Sequence, residues 1–263
     1  MNKLNQVVFV LMLISITACS SQVSRSKKQL DLGMNKYVYA DKNGSFAVSR
    51  QVGFQKGDDK LFVKRQMELE NRDRNNILEQ SVVYSNPGYL KGKTAILRPE
   101  EAQYSVWFEG KKYSSHIKIS PKNKGYELKT FGPDSRDKQS KIIPVPKTKK
   151  LFCFFSQVTE CLAFSGFIKK AIETQSGSAR FMLLWDGYPY FQEAYNDIPV
   201  EMFSNAELNF DGKINEDEFR FNLVVGNQSI FYVLGKSGEL KKMFWIAQGV
   251  SMVRKDLQDE INE

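Results

Sequence analysis

Strict alternation of apolar and polar residues is the feature that most constrains this chain. Leu61, Val63, Met67 and Leu69 alternate with Lys60, Lys64, Gln66, Glu68 and Glu70, a period of two that sets one row on a core and the other in water. Tyr113, Ile117 and Ile119 repeat the pattern against Lys112, Ser114, His116 and Lys118. Further strands are predicted over 45–54, 77–85, 104–109, 126–131, 181–185, 216–225, 229–234 and 240–246. Turn signals separate them, at Asn86-Pro87-Gly88, Glu109-Gly110, Gly132-Pro133-Asp134, Gly226-Asn227 and Lys236-Ser237-Gly238. Short strands in close succession predict a mainly β protein with a curved antiparallel sheet or half-barrel, and argue against alternating βαβ units.

With 41% hydrophobic and 13% aromatic residues in 263, the chain has ample material for a packed core. Residues 31–263 are expected to form a single β-rich domain. The polar, proline-bearing stretch 132–150 is either a linker between two halves or a long surface loop, and the single domain favours the loop. The net charge of +8 is basic without being extreme. Because the cations are scattered, with short clusters such as Lys147-Thr148-Lys149-Lys150, a solubilising surface is the simpler expectation over an anionic partner, and no nucleic-acid partner is expected.

The N-terminus speaks to location. Lys3 precedes an apolar run from Val7 to Ile16 that is shorter than the roughly 20 residues of a spanning helix, and the segment closes on Ile16-Thr17-Ala18-Cys19, the order of parts of an export signal. This resembles the lipobox of bacterial lipoproteins, over residues 1–20. The resemblance implies that residues 1–18 are removed and that Cys19 is lipidated. Several acyl chains give stable attachment, since each buried CH₂ contributes about 0.8 kcal/mol. Ser20 in place of aspartate implies, by resemblance to Gram-negative lipoproteins, the outer membrane with the domain facing the periplasm. Residues 19–30, polar and without apolar periodicity, are expected to be a tether.

Two other cysteines, Cys153 and Cys161, form a candidate disulfide in an oxidising compartment. Leu151, Phe154, Phe155, Val158, Cys161, Leu162 and Ile168, however, fall at helical spacing, which predicts one packed helix near 151–173. Eight positions on a helix rise about 12 Å, beyond the roughly 7 Å that a bridge tolerates. The helix with two buried thiols is therefore preferred. A curved sheet with a helix on its concave face is similar to the half-barrel plan of LolA- and LolB-type envelope proteins, a resemblance that implies lipid-chain binding.

The sharpest local motif is residues 207–218, where Glu207, Asn209, Asp211 and Glu218 with Gly212 resemble an EF-hand loop and imply a calcium site. A β-hairpin turning at Phe210-Asp211-Gly212 explains the same letters and is preferred. Catalytic motifs are lacking: His116 falls on the polar face of its strand, and there is no nucleophile elbow, zinc pair or phosphate loop. Asp186, Glu193, Asp197, Glu216 and Glu218 would be the carboxylates of a glycan hydrolase, if two of them met. Aromatic residues offer the ligand-binding candidates Phe154, Phe155, Trp185, Tyr188 and Tyr190, with core packing as the commoner use of such residues.

These observations lead to an envelope lipoprotein attached to the membrane through N-terminal acyl chains. It is expected to bind a hydrophobic or lipid ligand, or an envelope protein partner, without catalysis and without a cofactor. Calcium binding and glycan hydrolysis are the alternatives.

Overall fold

Among the described residues, fifteen strands form one sheet in which the first strand and the last lie side by side in the middle. The computed structural model describes residues 35–40, 46–55, 57–68, 77–90, 94–134 and 136–258. The expected signal segment 1–18, the expected lipidation at Cys19 and the expected tether 19–30 lie outside these residues.

From β1 (Asn35–Ala40) the chain runs outward through β2 (Ala47–Phe54), β3 (Leu61–Glu68), β4 (Ile77–Leu90), β5 (Thr94–Phe108), β6 (Lys111–Ser120), β7 (Gly125–Phe131) and β8 (Gln139–Pro144), each antiparallel to the last. It then crosses to the opposite edge, β9 (Leu151–Phe154), and passes through helices α1 (Val158–Phe164) and α2 (Phe167–Thr174) to β10 (Ser178–Leu184), which is parallel to β9. Helix α3 (Tyr190–Ala194) follows. Strands β11 (Phe203–Asn215), β12 (Glu218–Val225), β13 (Gln228–Leu234), β14 (Leu240–Trp245) and β15 (Val250–Arg254) walk back until β15 pairs with β1, and a last turn of helix, α4 (Lys255–Gln258), ends the described chain.

The order β8-β7-β6-β5-β4-β3-β2-β1-β15-β14-β13-β12-β11-β10-β9 requires curvature. Laid flat, strands about 4.8 Å apart would set the two edges roughly 65 Å from one another. The connection through residues 145–150 reaches at most about 25 Å. The sheet therefore curls until its edges approach, and they meet through side chains without pairing. Tyr126 on β7 lies 6.0 Å from the Phe203 ring on β11, and Phe203 lies 6.1 Å from Phe152 on β9. Among the described residues, no helix is long and apolar enough to cross a membrane.

The expected β-rich, curved antiparallel sheet is what the chain forms, with three corrections of detail. The single helix near 151–173 is instead a strand, a 3-10 turn at Phe155–Gln157 and two short helices, broken by Gly166 at φ 80°. Leu151–Phe154 pairs with Phe181–Leu184, and a strand partner outweighs local helical spacing. Cys153 thus sits on a strand and Cys161 on the helix that folds back over it. Their Cα atoms are 5.9 Å apart and the two are disulfide-bonded, so the argument from helical rise fails with its premise. Finally, the turn signal Asn86-Pro87-Gly88 lies inside β4, where Pro87 opposes Leu97. Because β3 pairs β4 no further than Ser85, the missing proline N–H costs no ladder bond on that side.

Candidate functional site

Alternation on the central strands aims charged residues into the curl. On β2 the inward row is Val48, Arg50 and Val52, and on β3 it is Leu61, Val63, Arg65 and Met67. Two arginines therefore enter an apolar face, where an ionised group must be paired and hydrogen-bonded to persist. Arg50, 5% exposed, grips the buried Glu160 of α1 with both guanidinium nitrogens, Nη1 to Oε1 at 2.9 Å and Nη2 to Oε2 at 2.6 Å, and also donates to the Ser156 carbonyl at 3.1 Å. Arg65 pairs with Glu79 on β4, whose other oxygen accepts from Tyr195 Oη at 2.6 Å.

The turn before α1 is held by a third buried carboxyl. Asp186 accepts from Ser156 N–H at 2.9 Å and from Ser156 Oγ at 2.6 Å. Burial pushes the Asp186 carboxyl up, against the opposing pull of the Ser156 bonds and of Arg65. Ser85 Oγ donates to Gln157 at 2.6 Å, which fixes the same turn to β4. Tyr104 Oη, buried near Tyr195, Arg65 and Asp186, has no hydrogen-bond partner among the described residues.

Aromatic residues complete the interior. Phe155 lies 4.9 Å from Trp185, 5.2 Å from Phe191 and 5.5 Å from Trp245, and Tyr195 stacks on Trp245 at 5.1 Å. Both buried indoles keep their N–H satisfied, Trp185 on Ser204 Oγ at 2.9 Å and Trp245 on Gln228 Oε1 at 2.8 Å.

Beside this cluster a cavity of about 50 Å³ remains. Its floor includes Arg50, Tyr232 and Val158, its walls carry Met67, Met243 and Met252, and half-buried Arg65, Tyr195 and Val250 stand at the rim. With each arginine neutralised by its own carboxylate, the cavity offers no uncompensated cation to a ligand. A second, open groove of about 560 Å³ lies where the sheet edges approach, between β8 and the start of β11.

The five aromatic candidates divide among these features. Phe155 lines the cavity, while Phe154 and Trp185 are fully buried. Tyr188 lines the edge groove with Lys141 5.3 Å above its ring. Tyr190 packs 5.5 Å from Tyr113.

Residues 207–218 form a long hairpin in place of a helix-flanked loop. The hairpin turns at Glu216-Asp217, beyond the expected Phe210-Asp211-Gly212. Register follows Leu208 opposite Leu223 and Phe210 opposite Phe221, Gly212 (φ 153°) is absorbed in a bulge, and Asn215 Oδ1 caps the turn by accepting from Asp217 N–H. Glu207 pairs with Arg180, Asp211 with Arg220 and Glu218 with Lys242, while Asn209 faces Asn222 and Ser178 across the ladders. The four candidate calcium ligands are thus spread along the hairpin in separate contacts. Among the described residues, no three His, Cys, Asp or Glu side chains are grouped to hold a metal ion.

Three of the carboxylates considered for hydrolysis are likewise engaged singly. Asp186 is bound to Ser156, Glu216 pairs with Lys213 and Glu218 with Lys242, and Glu193 lies on α3, followed by Asp197. His116 faces outward and bonds Glu101 Oε1 at 2.8 Å. Arg50, Arg65, Glu79 and Glu160 are the charged groups that the motif search passed over. Their signal was parity, since Arg50 and Arg65 occupy inward positions of otherwise apolar rows.

Fold and interior together define a curled, unclosed and mainly antiparallel β-sheet wrapped around a short helix, with a buried network of paired charges and hydrogen bonds beside a methionine-walled cavity. No protein-family model matches the chain, and no curated protein matches it. Among solved structures it is similar to a beta-barrel-like protein of domain of unknown function DUF1849 from Brucella abortus, with 7% identity, a TM-score of 0.43, and coverage of 83% of this chain and 93% of that one.

Proposed function

We propose that this protein is a lipid-anchored component of the cell envelope, attached to the outer membrane through Cys19 and facing the periplasm, that binds a hydrophobic ligand without catalysis. The observation that carries the ligand reading is the methionine-walled cavity in the concave face. Native interiors are close-packed and leave few voids larger than water, yet here one persists beside a dense aromatic cluster.

At about 50 Å³ the cavity as it stands has room for only a few water-sized groups. The fitting ligand is therefore a slender apolar chain whose tip enters first. Met67, Met243 and Met252 are unbranched and change rotamer easily, so the walls can retreat as more of the chain follows. Each arginine is held by its own carboxylate, so neither offers a free cation at depth, in keeping with an uncharged chain inside.

Trp245 lines the cavity and reports on it. Titration with an acyl chain brominated near its methyl end is expected to quench tryptophan emission saturably, and Trp245→Phe to remove most of that quenching. Met243→Trp, which fills the cavity, is expected to abolish binding while the fold survives. Non-saturable quenching, unchanged in both variants, would overturn the reading.

A further inference from the structure

The edge groove carries a different reading. Between 138 and 150 the sequence places Lys138, Lys141, Lys147, Lys149 and Lys150 with no carboxylate among them. None of the five is in an ion pair among the described residues. Lys138 lies over Phe131, Lys141 lies over Tyr188, and Lys150 donates to Asn205 Oδ1. Lys141 lines the groove of about 560 Å³ and Lys150 reaches its lining residue Asn205, while Lys138, Lys147 and Lys149 lie on the same stretch of chain; the walls include Ile142, Pro144, Tyr188, Val200, Met202 and Phe203, with Glu201 a single acidic contribution. Val200 is 79% exposed and Ile142 43%.

Protection of a sheet edge explains part of this. Lysine and proline blunt an unpaired strand against other chains, and Lys138, Lys141 and Pro144 sit on or beside β8, whose outer edge is unpaired. Edge protection does not explain Lys147, Lys149 and Lys150, which follow the end of the strand, nor the exposure of Val200 and Ile142 beside them. Unpaired cations around exposed aliphatic side chains are complementary to a surface that is anionic outside and apolar beneath.

We infer that the β8 edge, with residues 145–150 and the loop bearing Val200, is a docking face for an anionic lipid surface. The lysines meet the headgroups, and Ile142 and Val200 enter the apolar boundary. Pro144 at the end of the strand and Pro146 just beyond it disfavour an added peptide strand as the occupant, because neither supplies an N–H to pair with it. This face is separate from the interior cavity, and the inference stands without it.

The test uses residues 19–263 carrying Cys19→Ser, so that neither the apolar segment Val7–Ile16 nor an acyl anchor contributes, with vesicles of phosphatidylglycerol and phosphatidylcholine compared with phosphatidylcholine alone. Preferential binding to the anionic vesicles is expected, weakening as salt rises. Each lysine contributes about fivefold, so the triple variant Lys141→Gln, Lys147→Gln, Lys149→Gln is expected to bind about 100-fold more weakly. A charge-matched control with Lys122→Gln, Lys124→Gln and Lys170→Gln is expected to lose much less. In the same background Val200→Trp is expected to shift its emission to the blue with anionic vesicles. The inference is overturned if the two triple variants lose binding equally, if the Val200→Trp emission does not move, or if a polyglutamate peptide binds the face while vesicles do not.

Discussion

Truncating one partner of the Arg50–Glu160 pair strands a charge in an apolar interior, a loss of about 3–5 kcal/mol for a buried pair. Glu160→Leu alone should therefore be strongly destabilising, whereas Arg50→Met with Glu160→Leu should recover most of that loss, as measured by urea unfolding. If the double variant is as unstable as the single one, packing rather than charge pairing is the pair's contribution. Asp186 gives a pH dependence. Its folded pKa is raised, so the native state binds the extra proton. Its own contribution to stability is then greatest below the ordinary carboxylate value of about 3.9 and falls as pH rises from there toward the folded pKa. Asp186→Asn should flatten that decline, and an unchanged slope in its urea midpoints against pH would assign the decline to other groups. These residues were legible in part. The row Leu61, Val63 and Met67 sets position 65 inward by parity, but neither Arg50 nor Arg65 was singled out from it, and alternation says nothing about what neutralises a charge there, because Glu160 and Glu79 arrive from elsewhere in the chain.

Helical spacing misled at 151–168 because periodicity is local while the choice between strand and helix was made by a partner, β10, almost thirty residues away. The register of the β11–β12 hairpin was missed for a related reason. Asp-Gly is a strong turn signal on its own, yet Leu208 with Leu223 and Phe210 with Phe221 bury more apolar surface when the hairpin turns later and Gly212 takes up a bulge. The first of these changes creates the disulfide. Cys153 and Cys161 close a loop of about nine residues, for which the chain-entropy account gives about 2.5 kcal/mol. Replacing both by alanine should lower Tm by about 5–10 °C in a domain of this size. Reduction of the unmodified protein should give the same shift. A much smaller change under reduction than in the variant would mean that the alanines lose packing rather than the bridge.

At the scale of the molecule, most strands could be read singly, but β1, β8, β9 and β15 were not, β8 falling in the stretch read as a surface loop, and the curl could not be read at all, since no local pattern records that residues 145–150 must bring the two edges together. The same topology divides the domain by sequence: β1–β8 precede that crossing and β9–β15 follow it. The two blocks are joined in space by the β1–β15 pairing, by Arg50 reaching Glu160, by Tyr195 reaching Glu79, and by Tyr126 against Phe203. Apart from Tyr126 against Phe203, these contacts lie away from the crossing itself, where Lys147 and Lys149 are exposed. A trypsin nick after either lysine should therefore yield two fragments that separate on a denaturing gel but co-elute at the intact size in native gel filtration. Moderate urea should release them in a single cooperative step. Separate elution without denaturant would show that the covalent crossing, and not the central pairing with the interior network, holds the halves of the sheet around their cavity.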